Sequence, residues 1–303
     1  MTGRIEAVCI SEKKGTVKQD VGECRILKDF GLKGDAHAGS IRQVSLLSYE
    51  KVEEFKKRTG GKVEIRPGAF GENLLVSGFD LSALPIGTYF RIGEVLLELT
   101  QIGKTCHEGC EISKLTGECI MPREGVFARV LQGGEVRKGD EVIWPFSACV
   151  LTSSDRAYQG IREDISGPAI MDLLQKEGYV VSEYVLIPDE EDEAAKELIR
   201  LCDGNHPDVV FTTGGTGFSP RDRMPEASMR VAERNAPGIA EAIRSYSMTI
   251  TPRAMLSRGV SVIRGRTLIV NLPGSPKAVK ECLSFLLPSL THGLTILRGE
   301  AAD

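Results

Sequence analysis

From residue 146 to about residue 235 the chain alternates between strand and helix periodicities, and few folds accept that alternation. Ala148 to Thr152 is a strand of buried type, Tyr179 to Ile187 a second and Val209 to Thr213 a third. Helical patterns lie between and after them. Ser166 stands where a cap stands, with Pro168 in the first turn and Ile170, Leu173 and Leu174 on one face; Glu190 to Leu201 and Pro225 to Arg234 follow. Strands that succeed one another through helices run parallel, so this order predicts a parallel sheet with helices on both faces.

The first half has a different rhythm. Residues 128 to 144 hold two extended runs separated by Gly133-Gly134, with a second turn at Gly139-Asp140, and a similar pattern covers Ile86 to Thr100. One helix is expected at Tyr49 to Arg58, entered by Ser48 and carrying Val52 and Phe55 on one face. Many short strands with few helices argue for a closed or sandwiched β domain. The change falls at Trp144-Pro145, which predicts two domains, 1–146 and 147–303; 303 residues suffice for two separate cores.

A formal net charge of −4 argues against a nucleic-acid partner, which requires a surplus of Lys and Arg. Residues 1 to 145 carry 12 Lys and 9 Arg, whereas residues 146 to 303 carry 4 Lys and 13 Arg. Arg grips phosphate and carboxylate through a planar fork, so the second half has the cations of an anion site; drift in surface composition accounts for the same counts. The opening residues do not read as a signal peptide, and the apolar run from Cys282 to Leu297 is interrupted by Pro288 and His292, so no membrane partner and a cytoplasmic location are expected.

Val209 to Thr213 empties into Gly214, Gly215, Thr216 and Gly217, followed by Arg221 and Asp222. At the carboxyl end of such a strand, a glycine loop lets backbone N–H groups approach phosphate; an ordinary tight turn has the same glycines. Asp189 follows Ile187-Pro188 at the end of the preceding strand and should share that sheet edge. It also suits an N-cap for the next helix, as Asp222 suits an ion pair with Arg221 or Arg223. Taken together, the two carboxylates are better explained as a Mg²⁺ site beside nucleotide phosphates.

The segments LTSSDRA (151–157), EDISGPAI (163–170), IPDE (187–190), TTGGTGFSPRD (212–222), PEAS (225–228), TPRAMLSR (251–258) and NLPGSPKAVKECL (271–283) resemble, in order, the molybdopterin adenylyltransferase family across residues 147–299. The resemblance implies a doubly wound, three-layer α/β molybdopterin-binding domain that uses Mg²⁺ to transfer AMP from ATP to molybdopterin and assembles as a homotrimer. It places Asp189 and Asp222 as the two catalytic, metal-holding aspartates and Gly214, Gly215, Thr216 and Gly217 as the nucleotide-side loop. Ser154, Asp155, Asp164 and Ser166 match the loop near the pterin, and Asn271, Pro273, Gly274 and Ser275 match a second lining loop. Arg223 and Met224 depart from the family, which has an aliphatic residue and Thr there.

In the first half, DFGLKGDAHAGSIRQVSLLS (29–48), PGAFGENL (67–74) and the stretch from Pro85 to Cys106 are similar to the MOSC superfamily, over about residues 4–143. That implies a β-barrel that binds or sulfurates the molybdenum cofactor, with Cys106 as its functional thiol, Lys104 nearby and His37 a candidate pocket residue. Cys106, His107, Cys110 and Cys119 cluster in sequence without a C-x2-C pair, so structural zinc is the alternative to a reactive Cys106 beside inert Cys110 and Cys119. Cys9, Cys24, Cys149, Cys202 and Cys282 read as core. A cysteine desulfurase or a molybdenum-insertion protein would be the partner, and pyridoxal phosphate is not required of this chain. Both halves point to one cofactor. The competing readings are a molybdopterin carrier or scaffold without turnover, and a MOSC-dependent reductase of N-hydroxylated substrates served by an electron donor.

Overall fold

In the computed structural model, which describes residues 2–60, 63–104 and 111–300, the chain divides into two units, Met1–Pro145 and Phe146–Asp303. Among the described residues of the first, seven strands form a barrel: β1 (Thr2–Ile10), β2 (Val44–Ser48), β3 (Leu74–Ser77), β4 (Tyr89–Ile92), β5 (Val95–Ile102), β6 (Val126–Gln132) and β7 (Glu141–Ile143). They neighbour one another in the order β7-β4-β5-β6-β2-β3-β1, and β1 returns to β7 with Thr2 opposite Ile143. Closure pairs edges that would otherwise recruit another chain.

The barrel follows from period-two patterning carried on both faces. Leu46, Leu74, Val76, Val126, Ala128 and Val130 point into the interior, while Leu47, Leu75 and Phe127 point outward into a second cluster. Helix Tyr49–Arg58 covers that outer face with Val52 and Phe55 buried. Ser48 stands at the N-cap position of the helix, as expected, but its side chain makes no capping bond; its Oγ instead accepts the Leu81 N–H at 3.0 Å. Glu72 lies fully buried before β3 and accepts the N–H groups of Gly68 at 2.7 Å and Phe70 at 3.1 Å. Burial pushes its carboxyl up to about 7 against the pull of those donors.

The second unit is built on β8 (Ser147–Ser153), β9 (Val180–Ile187), β10 (Val209–Thr213), β11 (Arg234–Asn235), β12 (Ser261–Arg264) and β13 (Thr267–Leu272). Their order is β9-β8-β10-β13-β12-β11, with the first four parallel and β12 and β11 joined antiparallel at one edge. The sheet is therefore mixed where a wholly parallel one was expected. Arg264 pairs with Thr267 across only Gly265 and Arg266, and so short a connection can only return antiparallel.

Adjacent residues of the central strands again point to opposite faces. Val150, Phe211 and Val270 pack under helices Ser166–Lys176 and Pro276–Arg298, and Leu151, Val210 and Ile269 under helices Glu191–Arg200 and Met224–Val231. This is the three-layer α/β arrangement. Pro288 does not interrupt Pro276–Arg298, which continues through it. The far end of that helix is tied down by Arg298, whose guanidinium reaches Asp208 at 2.6 Å and lies 4.3 Å over the Phe146 ring. Among the described residues no helix is long and apolar enough to cross a membrane.

Because each unit has its own core, and Phe146 packs in the second, fragments 1–145 and 146–303 are each expected to unfold in a single cooperative transition; aggregation of both would show a shared core. A carboxyl held up by burial favours folding when protonated. Its contribution is complete below its ordinary value of 4.5 and gone above about 7. Denaturant titrations should find fragment 1–145 losing stability over that window, by roughly 3 kcal/mol at most, and Glu72→Gln flattening the slope.

Candidate active site

The four parallel strands end on one edge, at Ser153, Ile187, Thr213 and Leu272, where ligands bind in open α/β sheets. Gly214 leaves β10 with φ +92°, and a Cβ there would stand 2.1 Å from the Ser153 carbonyl oxygen. Only glycine lets the loop after β10 lie against the end of β8. Thr213 Oγ1 donates to the Pro273 carbonyl at 2.7 Å, binding the loop after β13 to the same point. At the loop's other end the Met224 N–H donates to Gly215 O at 3.1 Å.

Two cavities flank this loop. One, of about 220 Å³, is lined by Ser153, Ser154, Arg162, Asp164, Ser166 and Asp189. The other, of about 460 Å³, is lined by Thr216, Gly217, Arg244, Ile250, Arg253 and Leu256. Gly214, Gly215, Asp222 and Gly274 line both. Among the described residues no ion pair is recorded for Arg162 or Arg253; Arg162 lines the smaller cavity together with the carboxylates Glu163, Asp164, Asp189 and Asp222, and Arg253 lines the larger one with Arg244, Asp222 and Glu281.

Asp189 is not an N-cap. Glu190 occupies that position, and the Asp189 carboxylate turns back toward β8, accepting from Ser153 Oγ at 2.7 Å and from the Asp155 N–H at 2.9 Å. The Asp189 N–H returns a bond to Asp155 Oδ1 at 3.0 Å, so the two loops exchange hydrogen bonds. Asp222 is not paired with its arginine neighbours either. Arg221 spans to Asp155 at 2.8 Å and Glu190 at 2.6 Å, while Arg223 engages Glu191 at 2.6 Å. The Arg221 guanidinium holds the Asp155 carboxyl below its usual range. Asp222 Oδ2 accepts the Ser219 N–H at 2.8 Å, and Asp222 lines both cavities.

Asp164, rather than Ser166, holds the start of helix Ser166–Lys176. Its carboxylate accepts from the Ser166 and Gly167 N–H groups at 2.9 and 3.2 Å, and also from Thr152 Oγ1 at 2.8 Å and the Tyr184 hydroxyl at 2.7 Å. Ser166 Oγ instead donates to Gly274 O at 2.9 Å, joining the two lining loops. Burial, reinforced by Asp164, pushes the Tyr184 hydroxyl up to about 12, so it remains a donor. Asn271 lies beneath the site, with its amide on Thr212 and Ser228 at 2.9 Å each. Ser275 caps helix Pro276–Arg298 through the Ala278 N–H at 3.2 Å. Pro273 and Gly274 line the larger cavity. Arg258, the last residue of the segment TPRAMLSR, was given no role of its own; it donates its side chain to Gly217 O at 2.7 Å, a partner 41 residues away that the segment does not reveal.

The first unit has a cavity of about 460 Å³ lined by Lys18, His37, Arg42, Ser45, Asn73 and Lys104. Lys18 is buried with Nζ 2.5 Å from Asp35, and His37, which does line this pocket, is pushed below its ordinary range by burial and then by Lys18. Cys106, His107 and Cys110 lie outside the described residues. Cys119 is half-buried against the outer cluster, Cys24 is half-buried, and Cys9, Cys149, Cys202 and Cys282 are buried as core.

A family model described as "Probable molybdopterin binding domain" matches residues 149–292, and one described as "MOSC domain" matches residues 33–143. The molybdopterin adenylyltransferase of Helicobacter pylori strain J99 is 41% identical over 154 residues, covering 50% of this chain and 86% of that protein. That of Escherichia coli K12 is 42% identical over 136 residues, covering 44% of this chain and 70% of its own length. The solved molybdopterin biosynthesis enzyme MoaB from Thermus thermophilus is 43% identical, covers 52% of this chain and 99% of its own, and superposes with a TM-score of 0.49.

The hydrogen bonding separates residues that hold the site from residues that face it. Asp164→Ala strands two hydroxyls and two N–H groups and is expected to cost about 2–4 kcal/mol, whereas Asp222→Asn should remain within about 1 kcal/mol of the parent. Chemical denaturation of the two variants checks the contrast, and equal losses would refute it.

Proposed function

The chain belongs to the molybdopterin adenylyltransferase family through its C-terminal half and carries a MOSC domain before it, and from that premise we propose that the second unit transfers AMP from ATP to molybdopterin. One observation carries the reading: two cavities meet at a single glycine loop and a single carboxylate, Asp222. A group-transfer enzyme needs such a junction, because its two substrates must react across a shared wall.

The cavity with Ser154, Asp164 and Ser166 takes the pterin, and the cavity along Gly214, Gly215, Thr216 and Gly217 takes the nucleotide. The terminal phosphate oxygen of molybdopterin attacks the α-phosphorus of ATP. A new P–O bond forms, the bond from the α-phosphorus to the α–β bridging oxygen breaks, and pyrophosphate leaves with that electron pair. The attacking phosphate is already anionic, so the residues orient and neutralise rather than abstract a proton. Arg162 and Arg253 supply charge to the two phosphate-bearing substrates.

Asp189 and Asp222 suit Mg²⁺. Each carboxylate oxygen that accepts a bond here keeps a second lone pair, and the two residues line one cavity. Among the described residues no group of three or more His, Cys, Asp and Glu side chains is arranged to hold a metal. That fits an ion completed by substrate phosphates and water rather than by a protein cage. When bound, the ion neutralises phosphate charge as the P–O bond breaks.

The first unit, in this reading, receives the molybdenum cofactor for binding or sulfuration in the cavity lined by Arg42 and Lys104, whose charges complement a phosphate-bearing ligand; Lys18, paired with Asp35, holds the pocket wall instead. The protein acts in the cytoplasm as a homotrimer assembled through the second unit, with a cysteine desulfurase or metal-insertion protein as partner.

Purified protein supplied with molybdopterin, ATP and Mg²⁺ is expected to release pyrophosphate and adenylylated molybdopterin. Asp222→Asn should abolish that product while remaining folded. Turnover within about threefold of the parent, a barrier change under ~1 kcal/mol, would overturn the assignment. Asp189→Ala strands the Ser153 hydroxyl and the Asp155 N–H and should cost about 1–2 kcal/mol of stability, yet it should lose activity far beyond that defect in protein that is still folded; a lowered melting temperature with normal activity would make Asp189 a structural residue only.

A further inference from the structure

We propose that Arg258 is a positioning residue that fixes the Asp222 carboxylate relative to the glycine loop, an inference that rests on the adenylyl-transfer reading above. Arg258 follows the short helix Pro252–Leu256 and reaches the loop with both its main chain and its side chain. Its N–H donates to Thr216 O at 3.0 Å, its Nε donates to Gly217 O at 2.7 Å, and its Nη2 donates to Asp222 O. Its Nη1 lies 2.5 Å from Glu226 Oε1, at the head of helix Met224–Val231.

One guanidinium therefore takes a carbonyl on the outgoing limb of the loop and a carbonyl on the returning limb. Glu226 fixes the plane of the fork. Within the loop, Asp222 and Ser219 close the tip on themselves, the Asp222 N–H donating to Ser219 O at 2.9 Å and the Ser219 N–H to Asp222 Oδ2 at 2.8 Å. Among the described residues, the hydrogen bond recorded for the Asp222 carboxylate comes from inside the loop, so its placement depends on where the loop is held. Arg258 supplies that hold from a separate element. The geometry is specific to arginine: a lysine ammonium retains the charge facing Glu226 but lacks the planar fork that spans both carbonyls. A carboxylate that must meet a metal and two phosphates tolerates little displacement.

The test uses the full chain with Arg258→Lys, and Arg258→Ala as the harsher variant. Three measurements are made: hydrogen–deuterium exchange of amides 215–222; Mn²⁺ affinity by electron paramagnetic resonance with an ATP analogue bearing a methylene between its α and β phosphates; and steady-state kinetics. Arg258→Lys is expected to speed exchange in 215–222 while leaving the central strands protected, to weaken Mn²⁺ binding by about fivefold or more, and to lower kcat at least ~10-fold with the molybdopterin KM within ~twofold. Should Arg258→Ala fail to fold, Arg258→Lys decides. Parental exchange and Mn²⁺ affinity in a folded Arg258→Lys, beside an active parent protein, overturn the positioning role alone. A parent protein that makes no adenylylated molybdopterin overturns the catalytic reading and this inference with it.

Discussion

The approach of Gly214 to the Ser153 carbonyl is the contact on which the cavity-bearing edge of the sheet depends. A side chain at that point would push the loop after β10 away from the end of β8, since a Cβ there would lie 2.1 Å from the oxygen. The damage would not stop there. Ser153 Oγ holds Asp189, and Thr213 next to Gly214 holds Pro273, so three strand-end loops are referred to one place. Two separate hollows become one divided site because this single approach is allowed.

Around that point, the polar residues separate into those spent on one another and those left facing the cavities. Asp164 is saturated by donors from β8, β9 and its own helix. Asp155 is engaged by Arg221, which leaves Asp189 bound only to neutral donors. A carboxylate so placed keeps its negative charge available to a ligand. The same economy explains why Asp222, beside two arginines in sequence, is paired with neither: both guanidiniums are drawn to acids on other elements.

How much of this was legible in the sequence depended on whether the information was local. Val209–Thr213 was read to the residue, and helix Tyr49–Arg58 likewise, because periodicity and turn chemistry lie in the window itself. That Asp189 and Asp222 share one sheet edge was legible because each follows a strand end, and both line the smaller cavity there. The cap at Ser166 was misread because a tertiary partner competed: Ser166 lies inside the first turn and gives its hydroxyl proton to Gly274, whereas Ser48 does enter its helix at the expected place although its oxygen goes to Leu81. The antiparallel edge was carried by Gly265-Arg266 and went unnoticed, since alternation upstream favoured a parallel sheet. Asn271 matched a lining loop by motif, yet β13 turns it inward to Thr212 and Ser228. Arg258 closed the segment TPRAMLSR without a role being legible there, because the side-chain partners that define it are 32 to 41 residues distant.

The Arg298–Asp208 pair, with its guanidinium over Phe146, brings the last turn of the C-terminal helix to the first residue of the second unit. Phe146 and the last turn of that helix thus lie at the edge where the parallel strands begin, and the loops of the candidate site lie where they finish. The ion pair that fastens the helix and the loops that face the cavities share no residue, so the fastening can be loosened or tightened without redrawing the walls of either cavity.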